Sequence, residues 1–426
     1  MENYFINNKK IFFYSLQTIT PELYNILLNV NSIVFPKRFN FNVIPFLPDN
    51  IEYIEFPKIF NKPLTHLPKN IKILIFGNEY NKSIDNLPDS ITHIQLGYQF
   101  NKPIKKYPLN LEKLILGTKF NQQLTHFPPN LKELSLSLHY MKILPDFPES
   151  LELLEMSQSY YYDIPKLPKN LKKLYLHHNF NKNIGISSEN SYIYLRLPES
   201  LELLHLCGLF NKSIDNLPPN LKILELNRIF NQKINKLPNL ECIKFGYEFN
   251  QNIDNLPSSI KEIHFGEKFN QLIDNLPYGI ESIYFGENFN QPLDFLPSTI
   301  KYLSLGKNFN QPINNLPDSL EIIVFANNFN SPIDNLPNSV KYIFIESNYR
   351  PYWNCPISFT QKINKLPDNL ILLYIPDRYI YRTELIKKFG KRVIIISDIF
   401  EMKLKGDYTI NDLERLKKLN IYNNVE

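Results

Sequence analysis

A Leu-Pro or aromatic-Pro pair returns along this chain every 20 residues, and that period constrains the fold more than anything else in it. Its first member falls at Leu47, Leu67, Leu87, Tyr107, Phe127, Phe147, Leu167, Leu197 and Leu217, then at Leu237, Leu256, Leu276, Leu296, Leu316, Leu336 and Leu366. Two gaps of 30 hold ten-residue insertions, within which lie "GISSENSYIY" and "RPYWNCPISF". One gap of 19 arises where "LPNLECI" lacks a residue. A unit this short cannot bury an apolar face alone, so successive copies must stack on one another. A proline in every unit excludes helical hairpins. The two or three closed domains that 426 residues would ordinarily suggest are therefore not expected.

Between the prolines runs a second pattern, apolar-x-x-apolar-x-apolar. It reads Leu111, Leu114, Leu116 in one unit and Ile260, Ile263, Phe265 in another, beginning at Val30, Ile33, Phe35 and ending at Leu370, Leu373, Ile375. The last two positions alternate as a strand does. Each coil therefore contributes one short strand to a parallel sheet. The expectation is a leucine-rich-repeat-like solenoid of about 17 coils of about 20 residues, with a parallel β-sheet on one face and a short helical and strand cap at the C-terminal end.

"LxxLxL" followed by Asn resembles a leucine-rich repeat. The fuller consensus "FNxxIDNLPxSIKxIxFGxx" resembles the FNIP-repeat family, a leucine-rich-repeat relative found in social amoebae and in giant viruses of amoebae. The resemblance spans residues 31 to about 376. It implies a right-handed solenoid with a protein-binding role and supplies no catalytic residues. Some relatives carry an F-box, and "ITPELYNILL" is faintly similar to the start of one. The first repeat strand follows too closely for a full F-box, so residues 1–30 are read as an N-terminal cap, 31–376 as the solenoid and 377–426 as a C-terminal capping region. In the latter, "TELIKKFG" predicts a helix with a Thr N-cap and Gly stop, "KRVIIIS" a closing strand and "TINDLERLKKL" a second helix.

The repeat positions divide by their physical roles. An aromatic opens every Phe-Asn pair, from Phe39, Phe60 and Tyr80 through Phe289, Phe309, Phe329 and Tyr349, and is read as a stacked core spine. The Asn that follows is expected to bond turn backbone and, with its neighbours in a solenoid, to form a ladder satisfying polar groups that the turns leave open, with Met141, Tyr161 and Arg350 breaking the series. A row of Asp215, Asp254, Asp274, Asp294 and Asp334 exchanges freely with Asn, which cannot act as a base, so an Asx-type turn is expected rather than catalysis. Gly77, Gly97, Gly117, Gly246, Gly266, Gly286 and Gly306 share one phase after the strand, implying permissive backbone angles or close approach between turns. Glu112, Lys132, Glu152, Lys172, Glu202 and Lys222 begin an alternation of sign that runs unbroken to Lys341. Stacked in parallel, those side chains form one line in which each charge lies between two opposite ones, which reads as control of register.

A net charge of +5 is too mild to imply a nucleic-acid or membrane partner. Cys207, Cys242 and Cys355 are odd in number and far apart, which argues against a disulfide framework and for a reducing compartment. The N-terminal segment lacks a signal-peptide apolar run, and no stretch approaches a membrane span. A cytoplasmic monomer is expected, in the host cytoplasm if the chain is viral.

Function then falls to side chains that vary. Residues two and four after the first strand apolar face outward, onto the sheet surface. They are mixed early on, at His93, Lys113, Glu133, Glu155 and Lys173. They turn apolar or aromatic later, at Tyr284, Tyr302, Ile322, Val324, Tyr342, Phe344 and Tyr374, which are read as the partner-binding surface. A second row after Phe-Asn, Lys62, Lys82, Lys102, Lys142, Lys182 and Lys212, is read as a solvated edge. His177, His178, His205 and Cys207 come from adjacent units, but no regular ligand motif recurs and no metal or cofactor is assigned. No nucleophile-elbow, Walker, zincin or CxxC pattern is present, so no enzyme is expected. The function these features imply is a noncatalytic protein-binding scaffold. The alternatives are a substrate-recognition subunit for a ubiquitin ligase, by analogy with F-box relatives, or a structural component.

Overall fold

A computed structural model describes residues 4–14, 19–39, 46–177, 180–185, 194–326, 328–345, 359–376 and 378–396. His178, Tyr349, Arg350, Cys355 and the helix expected from "TINDLERLKKL" lie outside these residues. The chain is a β-solenoid of about 18 turns with a parallel sheet. Two compact units divide it, residues 1–266 and 267–426.

In the first unit the strands of the repeats pair in parallel, each with the strand one turn on. Leu114 stands opposite Leu134, and Leu134 opposite Leu154. The first insertion leaves this register intact, since Leu174 pairs with Leu204 across the 30-residue gap, and the 19-residue unit sets Leu224 against Ile243. All three apolar positions point inward, with Leu111 and Leu114 fully buried and Leu116 nearly so, while Lys113 and Ile115 between them stay partly exposed. The prolines set the turn that delivers each strand: the carbonyl of Pro108 accepts the N–H of Leu111 at 3.2 Å, and Pro48 does the same for Ile51. A second turn leaves the strand, closed at 3.1 Å by the N–H of Phe100 on the Gly97 carbonyl.

That second turn drops the aromatic into the core. Phe60, Tyr80, Phe100 and Phe120 are fully buried, and successive rings lie near-parallel at centroid distances of 6.1, 6.3 and 5.9 Å. In the second unit Phe269, Phe289, Phe309 and Phe329 stack in the same manner at 6.1 to 6.3 Å. Among the described residues the ring that follows Phe329 is Phe359, at 6.1 Å. The second insertion therefore precedes the aromatic of its unit rather than following it. Thr360 accordingly takes the place assigned to Arg350, its N–H donating to Asn330 Oδ1 at 2.8 Å.

The asparagines form the expected ladder between turns. Asn61 Oδ1 accepts the N–H of Asn81, Asn81 that of Asn101, and Asn101 that of Asn121, each at 2.9 to 3.0 Å. The aspartates behave alike: Asp85 accepts from the N–H of Lys105 and Asp334 from that of Asn364, so the expected local Asx turn gives way to an inter-turn bond. Close approach explains the glycines. A Cβ on Gly97 would sit 1.8 Å from the Gly77 carbonyl oxygen, and one on Gly306 would sit 1.7 Å from that of Gly286. In the charge row each bonded lysine reaches back to the glutamate of the preceding turn: Lys132 to Glu112, Lys172 to Glu152, Lys301 to Glu281 and Lys341 to Glu321, at 2.8 to 3.2 Å.

The sheet extends past the repeats at both ends of the described chain. Lys10–Phe13, the second strand of an antiparallel hairpin with Tyr4–Asn7, pairs in parallel with Ser32–Val34. Between them lies the helix Pro21–Leu27, capped by the Thr20 hydroxyl on the N–H of Leu23. Ile394–Ile396 pairs in parallel with Leu372–Tyr374 after a helix over Arg382–Phe389. That helix starts one residue before Thr383. Tyr381 holds the cap position without a side-chain bond, so the expected Thr cap does not form.

Candidate functional site

The outward sheet face of the first unit gathers chemistry that a parallel stack makes unavoidable. Residues at one strand position become lateral neighbours, so Glu155, Tyr175, His205, Glu225 and Lys244 stand in consecutive strands side by side. Two residues further along, His177, Cys207 and Asn227 follow the same strands.

At the centre is Cys207. His205 Nε2 lies 2.5 Å from its Sγ, and the other ring nitrogen, Nδ1, lies 2.5 Å from Glu225 Oε2. Lys244 Nζ completes that arm at 2.8 Å from Glu225 Oε1. A second imidazole, His177, stands on the other side of Cys207 and places its Nε2 3.3 Å from Glu155 Oε1. Asn227 Nδ2 donates to Sγ at 3.4 Å. All three side chains of the Cys–His pair and its second imidazole are partly buried.

These contacts set the protonation states. Burial alone would raise the Cys207 thiol, but hydrogen bonds from His177, His205 and Asn227 outweigh it and bring it down to about 6. His177 and His205 are each held up at about 9, first by the bond to Cys207 and then by their carboxylates. His205 and Lys244 together draw Glu225 down to about 2, and His177 lowers Glu155. Three cations and three anions thus alternate along one line: Glu155, His177, Cys207, His205, Glu225, Lys244.

Beside this cluster a depression of about 230 Å³ is lined by Lys113, Glu133, Ser135, Leu153, Glu155 and Tyr175, among others. Two of its walls also belong to the cluster: Glu155, bonded to His177, and Tyr175, whose ring centroid is 5.7 Å from that of His205. Among the described residues, the one group that brings three potential metal donors within 4.8 Å of one another is Cys242, Glu262 and His264. There Glu262 accepts a hydrogen bond from or shares one with His264, and burial holds the Cys242 thiol up at about 12. The His177 and His205 rings are instead 6.2 Å apart on their centroids. Sequence reasoning placed His177 and Cys207 in matching phase but missed Glu225, Asn227 and Lys244; counting one repeat forward from His205 and Cys207 would have found the first two.

The second unit presents an apolar face at the same strand positions. Tyr302, Val324 and Phe344 are packed together and only 5% exposed each, with Leu372 fully buried beside them. Tyr284, Ile322, Tyr342 and Tyr374 pack against this floor and remain half-buried, as does Ile394. Tyr284 lies 4.7 Å from Tyr302 between ring centroids, and Phe344 6.4 Å from Tyr374. The seven residues expected to form a partner surface are thus brought together, with Leu372 and Ile394 added by the final strands.

The rest of the predicted candidates are edges. Lys102 and Lys142 are exposed, and Lys182 is paired with Asp163. Glutamines at the same phase join the asparagine ladder, Gln232 Nε2 donating to Asn211 Oδ1 at 3.1 Å. Among the described residues no helix is long and apolar enough to cross a membrane.

The FNIP Repeat family profile matches residues 60–99, 84–109, 237–268, 269–308 and 309–348. Among solved structures the chain is similar to CroV588, from a giant virus and described as a novel circular LRR protein, at 29% identity and a TM-score of 0.70. That likeness covers 89% of this chain, which spans 64% of the length of CroV588. YopM from Yersinia enterocolitica WA-314 is 18% identical, with 82% of this chain and 83% of that one covered and a TM-score of 0.42. No curated protein matches the sequence. The chain therefore carries FNIP repeats over residues 60–109 and 237–348, within a leucine-rich-repeat-like solenoid.

Proposed function

We propose that the protein is a noncatalytic interaction scaffold that docks a partner protein on the outward face of its parallel sheet. Repeat scaffolds of this kind commonly mediate protein–protein interaction. The observation that carries the reading is the apolar face of the second unit. Tyr284, Ile322, Tyr342 and Tyr374 form a half-buried rim over a packed floor of Tyr302, Val324, Phe344 and Leu372. Large rings already ordered by their neighbours lose little freedom on binding, which is why aromatics dominate interface hot spots.

Burial decides how this is tested. Tyr302 and Phe344 belong to the floor, so their truncation would cost folding stability and confuse the outcome. Replacing Tyr284 and Tyr342 by Ser leaves the floor in place. Affinity capture from the native cell, quantified by mass spectrometry, should enrich one dominant protein with the wild type and lose it with the double variant at unchanged thermal unfolding. Equal recovery by both proteins would remove this face as the docking surface.

A further inference from the structure

We propose that Cys207 is a nucleophilic thiolate, set between His177 and His205, that reacts with small disulfides by thiol–disulfide exchange. The geometry carries this independently of the docking face. A cysteine kept for packing has no need of an imidazole 2.5 Å from its sulfur, backed by a carboxylate on its far side, with an amide N–H on the same sulfur and a second carboxylate-bonded imidazole alongside. Glu225 on Nδ1 turns Nε2 of His205 toward Sγ, where it can take the thiol proton, and imidazolium beside sulfur is the arrangement that sustains a thiolate near neutral pH.

A metal reading fits the same residues less well. Ligands on one small ion crowd together, whereas these two rings flank the sulfur with their centroids 6.2 Å apart. Among the described residues the three-donor group lies elsewhere, at Cys242, Glu262 and His264.

A depression on the neighbouring strands shares Glu155 and Tyr175 with the cluster and offers a place for the reagent beside it. Its walls carry both signs of charge, with Lys113 and Glu133 paired at 2.6 Å and Ser135 donating to Glu155 at 2.8 Å. Such a lining suits a small zwitterionic disulfide bearing ammonium and carboxylate groups. In the reaction Cys207 Sγ attacks one sulfur of the disulfide. The S–S bond of the reagent breaks, a new bond joins Cys207 to that sulfur, and the other half leaves as a thiolate that takes a proton from His205 or from water. The reagent is itself the oxidant, and no further redox partner is needed.

Groups facing Cys207 from the packed strands are Glu155, Tyr175, His177, His205, Glu225 and Lys244, and together they should shape its pH profile. The test uses the full-length protein and the aromatic disulfide DTNB, with rates followed from pH 4 to 9 and the modified residue located by mass spectrometry. A thiol titrating near 6 is about half ionised at pH 6, against a few tenths of a per cent for an ordinary one at about 8.5. Its lower intrinsic nucleophilicity returns about 10- to 20-fold of that gain. The expected result is a Cys207 rate about tenfold above that of a free thiol at pH 6, flat above about pH 7, and absent in Cys207→Ser. His205→Gln and Glu225→Gln, checked for folding by circular dichroism, should move the midpoint up by about one unit or more. A Cys207 midpoint near 8.5, a midpoint unmoved in both variants, or no reaction at Cys207 in the folded protein would each overturn the proposal.

Discussion

The backbone N–H of Met141 donates to Asn121 Oδ1 at 2.9 Å, the last link of a series that begins at Asn61. Met141 carries no carboxamide, so it takes a bond from the turn before and offers none to the turn after. The series resumes with Asn181, which accepts the N–H of Asn211 at 3.1 Å. Because each bond joins neighbouring turns, the ladder resists their separation directly.

Asn101→Ala should therefore weaken the protein by about 1 kcal/mol, the usual net worth of such a bond, by orphaning the N–H of Asn121. Met141→Asn should recover a similar amount at the break. Urea midpoints for the two variants, read against wild type, check both directions. A Met141→Asn midpoint at or below wild type would show that the ladder contributes nothing there.

Phe289 is fully buried between Phe269 and Phe309, with centroids at 6.1 and 6.2 Å. Phe289→Ala should cost about 3–5 kcal/mol, and Phe289→Leu distinctly less because part of the cavity stays filled. Thermal unfolding of the two variants should rank in that order.

Gly97→Ala brings a methyl group to 1.8 Å from the Gly77 carbonyl oxygen, where only backbone could yield. The turns would have to part, at a cost of about 1–3 kcal/mol or more. Gly208→Ala makes a useful contrast, since that residue has a left-handed φ of 69° and should suffer from backbone strain instead. Hydrogen exchange would separate them: Gly97→Ala should expose amides of the flanking turns, Gly208→Ala chiefly those of its own.

Glu225 titrates at about 2 in the folded protein and nearer 4.5 unfolded. Its stabilisation is thus complete above about pH 4.5 and disappears as pH falls through 2. His205 works in the opposite sense: raised to about 9, it stabilises fully below about 6.5 and less as pH rises through 9. Glu225→Gln should reduce stability at pH 6 and converge with wild type by pH 2. A difference between the two melting curves that is constant across that range would mean Glu225 contributes through packing alone.

Much of this was legible from residue order. The 20-residue period, the inward phase of Leu111, Leu114 and Leu116, the aromatic spine and the tight glycine turn all follow from repetition, because in a stack every unit meets a near-copy of itself. Periodicity also shows which residues share a face. It does not show which atoms meet across it. The bonds that join His205 to Glu225 and to Cys207, and His177 to Glu155, depend on side-chain rotamers and on lateral register between turns 20 and 30 residues apart. Likewise the stack alone decided that Phe359 follows Phe329, since an insertion can leave the core on either side of the aromatic. Burial of Tyr302 and Phe344 on the outward face was decided the same way, by the bulk of neighbours that a single repeat does not contain. Sequence determined the lattice of positions, and three-dimensional packing determined which of them act on one another.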